Sequence, residues 1–499
     1  MRIAIAYPPI ETDKGVPLLS QNRQFQYFHN PTFIFPCVPA MAASLLQKHG
    51  YDVVWLDGIA ERKSYAEWLK DVERADPHLM AIETKTPTVK QYWRVIDDLK
   101  QRFPRMTIVL MGDHVTALPE ESLLACKVDY VLTGGDFDFS LLNLANHLTR
   151  GSDLEPGFYF WDGDTIRSTG HFIQHNPREL PLIDRELVKW KLYAYHNGNF
   201  KYTPGTYTMV GRDCWWRKGG GCTFCSWTST FPKFRVDTPE KLLDEVGHLI
   251  DLGVREIFDD TGTFPVGPWL EKFCKGMIER GYHKHVKFGC NMRADALTQR
   301  EYELMGKAGF RFILYGLESA SQRTLDLLNK GTRWDDIITA TKWAREAGLD
   351  PHVTCMVGYP WETYEEAKKT IELTRMLFDK GYVETLQATI VIPYPGTELF
   401  RQCEQNGWLK FRDWERYDMR EPVMVSPIPD EKIMELVQSL YTSFLTPRYI
   451  VRKLTQIRTM DDVNYYIVRG SKYLWGHLKD FAKEQVARRR AGTVGSTAE

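Results

Sequence analysis

Two blocks of short apolar runs alternating with helix-like stretches dominate this sequence. The alternation restricts the chain to parallel α/β architecture, because parallel neighbours need a crossover helix between them. In the first block the runs are Ile3 to Tyr7, Val53 to Leu56, Leu79 to Ile82, Thr107 to Met111 and Tyr130 to Leu132. Helical stretches over Pro39 to His49 and Val89 to Phe103 stop at Gly50 and Pro104, as helices commonly do. Together they predict a doubly wound, Rossmann-like domain over residues 1–150. Phe158 to Trp161 and Thr165 to Arg167 flank the polar turn Asp162-Gly163-Asp164, a predicted hairpin, and Asn176 to Asp184 is proline-marked and irregular, so 151–205 reads as hairpin and linker. The second block has runs at Tyr207 to Val210, Glu256 to Asp259, Val286 to Cys290, Phe312 to Tyr315, Val353 to Val357 and Leu386 to Val391. Six β/α units predict a partial (β/α)6 barrel over 206–397, followed by a mainly helical region over 398–499. Both architectures bind ligands beyond the C-terminal ends of their strands.

Three of the nine cysteines crowd into residues 214–225, and the nine together are too few and too unevenly spaced for a disulfide framework. Cys214, Cys222 and Cys225 follow the first strand of the second block with C-x7-C-x2-C spacing. Three thiolates on one loop can hold three irons of a 4Fe–4S cluster and leave the fourth iron open to an external ligand. The alternative is a zinc knuckle, which needs a fourth ligand that this loop lacks. Cys274, Cys290, Cys355 and Cys403 are scattered and read as small core residues.

In the first block the strand-end segments are Glu83-Thr84-Lys85-Thr86-Pro87, Gly112-Asp113-His114-Val115-Thr116 and Gly134-Gly135-Asp136. Their glycines, hydroxyls and amides suit either a large polar cofactor or plain turn chemistry.

The run from Gly112 through Glu121 resembles the phosphate-side loop of the cobalamin-binding domains in cobalamin-dependent (class B) radical S-adenosylmethionine enzymes, and Gly134-Gly135-Asp136 stands where that family has a Gly-Glu-Gly turn. The Asp-x-His-x-x-Gly signature is absent, since the chain reads Asp57-Gly58-Ile59 after its second strand. Cys222-Thr223-Phe224-Cys225 is similar to the closing Cys-x-aromatic-Cys of the same superfamily, although seven residues rather than three precede it and the insertion is glycine-rich. Asp259-Asp260-Thr261, Asn291-Met292-Arg293-Ala294-Asp295, Tyr315-Gly316-Leu317-Glu318-Ser319, Val357-Gly358-Tyr359-Pro360 and Tyr394-Pro395-Gly396-Thr397 follow in the family's order.

The resemblance implies a 4Fe–4S cluster on Cys214, Cys222 and Cys225, with S-adenosylmethionine contacted by Asp260, Thr261, Asn291, Arg293, Glu318, Ser319, Gly358 and Pro360. Within that set Arg293 would clamp the methionine carboxylate, a task its planar fork suits. The resemblance further implies cobalamin on Glu83, Thr84, Lys85, Thr86, Gly112, His114, Val115, Thr116, Gly134 and Gly135, with the side chain facing the lower side of cobalt open. His114 has a second reading as a loop-stabilising side chain. The implied reaction is one-electron cleavage of S-adenosylmethionine, hydrogen abstraction by the resulting 5′-deoxyadenosyl radical, and methylation of an unactivated carbon or phosphorus. Cyclisation, oxidation or rearrangement would share the same cofactor residues, and a non-catalytic metal- or cobalamin-binding module is the reading from another class. An electron donor such as flavodoxin or ferredoxin is the implied partner; the substrate is a small molecule, lipid or peptide.

With a formal net charge of -1 there is no global field toward nucleic acid, and no basic nucleic-acid domain is visible. No run reaches the roughly 18 apolar residues of a membrane span, and MRIAIAYPPI lacks the parts of a secretory signal, so a cytoplasmic location is expected. Tyr473, Leu474, Trp475, Leu478 and Phe481 beside Lys472, Lys479 and Lys483 outline a basic amphipathic helix that could rest on an anionic membrane or on the protein itself.

Overall fold

The structure, a computed structural model, describes residues 1–18, 25–442 and 445–471. The first block folds as β1 (Arg2–Tyr7), α1 (Cys37–Lys48), β2 (Asp52–Asp57), α2 (Tyr65–Ala75), β3 (Leu79–Glu83), α3 (Val89–Arg102), β4 (Thr107–Met111), α4 (Asp113–Ala117), α5 (Pro119–Ala125), β5 (Tyr130–Leu132) and α6 (Phe137–Arg150). Alternate residues of β1, β3 and β4 enter opposite cores. Ile3, Ile5, Ala81 and Val109 pack on one face, and Ala4, Met80, Ile82 and Leu110 on the other, as a sheet covered by helices on both sides requires. The predicted hairpin is β6 (Phe158–Asp162) and β7 (Thr165–Ser168). The hairpin joins the first sheet: β6 pairs antiparallel with β5, giving the seven-stranded order β2-β1-β3-β4-β5-β6-β7.

The second block supplies β8 (Gly205–Thr208), α7 (Trp227–Thr230), α8 (Pro239–Asp251), β9 (Glu256–Asp259), α9 (Pro268–Glu279), β10 (Lys287–Met292), α10 (Gln299–Lys307), β11 (Phe310–Glu318), α11 (Gln322–Leu327), α12 (Asp336–Glu346), β12 (Asp350–Val357), α13 (Tyr364–Lys380) and β13 (Thr385–Ile390). The six strands form one parallel sheet in sequence order. Its first strand stops short of the predicted Val210 because the Val210 amide donates to the Asp259 carboxylate at 2.9 Å instead of extending the ladder.

A charged layer closes the N-terminal ends of these strands. Arg311 bridges Glu256 at 2.6 Å and Asp350 at 3.1 Å, and Arg345 meets Asp350 at 2.6 Å. The terminal helices α16 (Pro447–Gln456) and α17 (Met460–Ser471) seal this end from below: Lys453 pairs with Glu384, and Arg255 with Asp461 at 2.7 Å. In the sequence between the barrel and these two helices come α14 (Glu398–Gln405) and α15 (Asp430–Thr442). The opposite, C-terminal mouth faces the C-terminal edge of the first sheet. Among the described residues no helix is long and apolar enough to cross a membrane. The predicted basic stripe from Lys472 to Lys483 lies outside the described residues.

Candidate functional site

A two-residue ribbon, Gly211–Arg212 against Arg235–Val236, brackets the cysteine loop at the exit of β8. Two buried ion pairs fix this ribbon to the first domain. Arg212 meets Asp138 at 2.6 Å, and Arg235 grips Asp136, one of its bonds measuring 3.0 Å. Arg235 and His175 hold the Asp136 carboxyl well below its ordinary value against the opposing pull of burial. Asp136 ends the Gly-Gly-Asp turn, so that turn acts as a latch on the cysteine loop.

The seven-residue insertion between Cys214 and Cys222 is held at both ends. Arg217 forks onto the Asp213 carboxylate at 2.6 and 2.8 Å. Asn329 donates its amide to the carbonyls of Gly219 and Gly221 at 2.7 and 2.8 Å, and the Trp216 indole donates to the Asn329 carbonyl at 2.7 Å. Trp216 thereby lies 4.2 Å from the Arg293 guanidinium, a cation–π contact, and over Gly331.

All three loop cysteines line one cavity of about 180 Å³ at the barrel mouth, together with Asp260, Asn291, Arg293 and Glu318. None of the three is in a disulfide. Cys214 lies 2.9 Å from the Thr263 hydroxyl. Burial pushes the Cys222 thiol up to about 12, with the nearby Lys330 ammonium pulling the other way. Glu318 sits at φ 61, and its carboxylate accepts from Lys330 at 2.8 Å. Burial alone would lower Lys330, but Glu318 and Cys222 outweigh it and hold the ammonium above its ordinary value. Asn291 donates to Asp260 at 3.3 Å and to the Thr261 carbonyl at 3.0 Å.

Other predicted contacts turn away from this space. Thr261 accepts from the Gly211 amide at 2.8 Å and so anchors the ribbon, while Ser319 is fully buried and accepts from the Ser321 amide at 3.1 Å. Gly358 donates to the Glu362 carboxylate at 2.8 Å, which fixes the turn through Pro360, and burial pushes Glu362 up to about 8. Arg293 lines the cavity, yet both ends of its fork rest on Asp295 at 3.0 Å and its remaining nitrogen donates to the Lys330 carbonyl at 2.7 Å. The sequence reading left out Lys330, Thr263, Trp216 and the deeper polar lining of His352, Thr354 and Gln387.

The first-domain residues behave differently. The run expected as a phosphate-side loop is two short helices, α4 and α5. Gly112, at φ +126, turns the chain into α4, where a Cβ would lie 2.3 Å from the Thr84 carbonyl, and Pro119 starts α5. His114 is buried with both ring nitrogens engaged, 3.1 Å from Thr86 and 3.1 Å from Glu121. Trp414 donates to the same Glu121 at 2.8 Å. Val115 is core, and the Thr116 hydroxyl donates to the Gly112 carbonyl and accepts from the Gly134 amide at 3.1 Å. Gly134 packs on Phe172. Gly135 lies against Phe231, where a Cβ would stand 2.1 Å from the ring, and donates to the Thr230 carbonyl at 3.0 Å. These side chains build their own loops and dock α7.

What stays polar between the two domains is a buried set at the ends of β3 and β4. Tyr7 donates to Glu83 at 2.5 Å, and Lys85 sits 3.7 Å from Glu83 and 3.4 Å from Asp113. Burial raises Glu83; it would lower Lys85, but Asp113 and Glu83 keep that ammonium protonated. Ile34 of the first domain lines the cysteine cavity together with Tyr394, and Gly396, just beyond Tyr394, packs against Ala117 of α4, so the cavity borders the first domain.

The donor sets fit the groups the sequence implied. Three thiols around one cavity, none in a disulfide, suit a cluster with an open iron. A tetrahedral zinc site needs a fourth ligand, and the Cys214 to Cys225 loop carries no histidine or fourth cysteine. Asp260, Asn291 and Glu318 offer acceptors and a donor for a zwitterionic sulfonium nucleoside. The Glu83, Lys85 and Asp113 set suits the amides and phosphate of a corrin cofactor.

Comparison with known proteins agrees with this geometry. Residues 209–374 match the Radical SAM superfamily. The chain is 26% identical over 424 residues to an uncharacterised methyltransferase of Pyrococcus horikoshii, covering 83% of this chain and 89% of that protein. It is also 26% identical over 472 residues to the anaerobic magnesium-protoporphyrin IX monomethyl ester cyclase of Cereibacter sphaeroides, covering 91% of this chain and 72% of that protein. Its fold is similar to the radical S-adenosylmethionine methyltransferase TsrM from Kitasatospora setae, solved with cobalamin and a [4Fe-4S] cluster, with a TM-score of 0.66 at 14% identity over 89% of each chain.

Proposed function

We propose, from the premise that residues 209–374 are a radical S-adenosylmethionine domain, that this chain is a cobalamin-dependent methyltransferase acting on an unactivated carbon or phosphorus centre. The observation that carries the reading is the cavity lined by Cys214, Cys222 and Cys225 together with Asp260, Asn291 and Glu318, which also takes in Ile34 of the first domain. Bound there, a 4Fe–4S cluster with S-adenosylmethionine supplies one-electron chemistry at an unactivated bond, and cobalamin supplies a transferable methyl group.

The chain's own residues hold and orient. Cys222 is half-buried and its thiol is raised by that burial, so metal loading must release its proton. Lys330 fixes one carboxylate oxygen of Glu318, leaving the second to accept from ribose-type hydroxyls. Asp260, positioned by Asn291, faces the cavity as an acceptor for an ammonium. Trp216 and Arg217 of the tied insertion line one wall of the site.

Anaerobic protein with a reductant, methyl-labelled S-adenosylmethionine and an extract of cells lacking the gene tests the reading. The expected outcome is 5′-deoxyadenosine together with label in one extract component. The cyclase relative supports a second reading in which the same site oxidises or closes a ring; 5′-deoxyadenosine with no label transferred would favour it and overturn methylation.

A further inference from the structure

The two terminal helices are inside out. On α16 the charged side chains turn inward: Lys453, 8% exposed, pairs with Glu384, and Arg452 donates to the carbonyls of Phe378 and Asp379. The outward face is apolar, with Ile450 48%, Val451 60% and Leu454 62% exposed. On α17 the pattern repeats. Asp462 and Tyr465 are buried and Tyr466 donates to Glu384 at 3.2 Å, while Met460 and Ile467 are 71% and 62% exposed. Both inward faces converge on Glu384, so both apolar faces look away from the barrel on the same side. With Leu445 they make up six of the sixteen exposed large apolar side chains among the described residues, all within 445–467. A helix pair that hides charge and exposes aliphatic surface is built to be covered by something apolar.

We propose that this face docks on an anionic lipid surface. The argument is charge complementarity. The two acidic residues of 445–471 are both paired, Asp461 with Arg255 at the surface and buried Asp462 with Lys201. Arg448 and Arg458, one on the first turn of α16 and one just past its last, are exposed beside the apolar face. Directly beyond Ser471 the sequence adds Lys472, Lys479, Lys483, Arg488, Arg489 and Arg490 against Asp480, Glu484 and Glu499. Aliphatic side chains flanked by cations are the pattern of a helix lying in the headgroup region. Pairing with a second copy would instead bring two cationic rims together.

Flotation of the full-length protein with vesicles tests this, using mixed phosphatidylglycerol–phosphatidylcholine against pure phosphatidylcholine. The protein should float with the anionic vesicles, weakly or not at all with the neutral ones, and less as salt rises. Leu454→Glu and Val451→Glu should each weaken binding about tenfold, with near-ultraviolet circular dichroism unchanged. Should either substitution disturb the fold, Arg448→Ser with Arg458→Ser leaves the apolar face intact and should still weaken anionic binding by about tenfold. Absence of flotation, or flotation that none of these variants weakens, would overturn the proposal. A dimer in solution that Leu454→Glu dissociates, without vesicle binding, would likewise overturn it by giving the face to a second copy.

Discussion

At the barrel mouth the cysteines, Asp260, Asn291 and Glu318 point into shared space. At the strand ends of the first domain, His114, Thr116, Gly112, Gly134 and Gly135 make their contacts with one another or with neighbouring protein. Both groups lie where α/β sheets bind ligands, and both carry residue types that bind them. The difference teaches that position at a strand end selects candidates, while a side chain that lines a shared cavity rather than its own loop marks which of them a ligand can reach.

The contrast can be broken most forcefully at the ribbon that joins the regions. Arg212→Met leaves Asp138 charged and fully buried, so unfolding free energy should fall by about 4 kcal/mol in a denaturant titration. A loss near zero would mean that the first domain only rests on the cysteine loop. Within the mouth, Lys330→Met removes the cation from buried Glu318 and should cost about 3 kcal/mol, with S-adenosylmethionine binding by calorimetry weakened at least about tenfold.

A pH scan sharpens the account of the β12 exit turn. Burial holds Glu362 up to about 8 against an ordinary value of 4.5. Between those two pH values the folded chain keeps a proton that the unfolded chain has lost, so this group's stabilisation is complete below pH 4.5 and fades as pH rises toward 8. Glu362→Gln should flatten that fall in melting temperature.

The smallest effect belongs to the first domain. His114→Ala should lower stability by about 1 kcal/mol and leave cobalamin affinity, read from its visible absorbance, unchanged; a large drop in affinity would make His114 a ligand and erase the contrast.

Much of the architecture was legible because its signals are local. Alternating Ile3, Ile5 and Ala4, Ala6 can only be a strand buried on both faces, and Thr238 accepting from the Lys241 amide ahead of Pro239 starts α8 as its sequence implies. The cysteine spacing likewise needed no tertiary information. What escaped depends on distant partners. Lys330 reaches Glu318 only because α11 folds back over β11, and Asp136 and Asp138 find Arg235 and Arg212 across roughly a hundred residues of chain. Two acids beside a Gly-Gly turn were the available signal for that latch. Docking of the predicted hairpin onto the first sheet escaped as well, because pairing of β6 with β5 leaves no mark in either strand's own pattern.

The central claim is that Cys214, Cys222 and Cys225 surround one cavity so that a cluster held there keeps an iron for S-adenosylmethionine. Electron paramagnetic resonance of the anaerobically reconstituted, reduced protein tests it most directly. A [4Fe–4S]+ signal that changes shape when S-adenosylmethionine is added, and that is lost in Cys222→Ala, is the predicted result. Tetrahedral zinc in place of iron, or an iron–sulfur signal indifferent to S-adenosylmethionine, would contradict it.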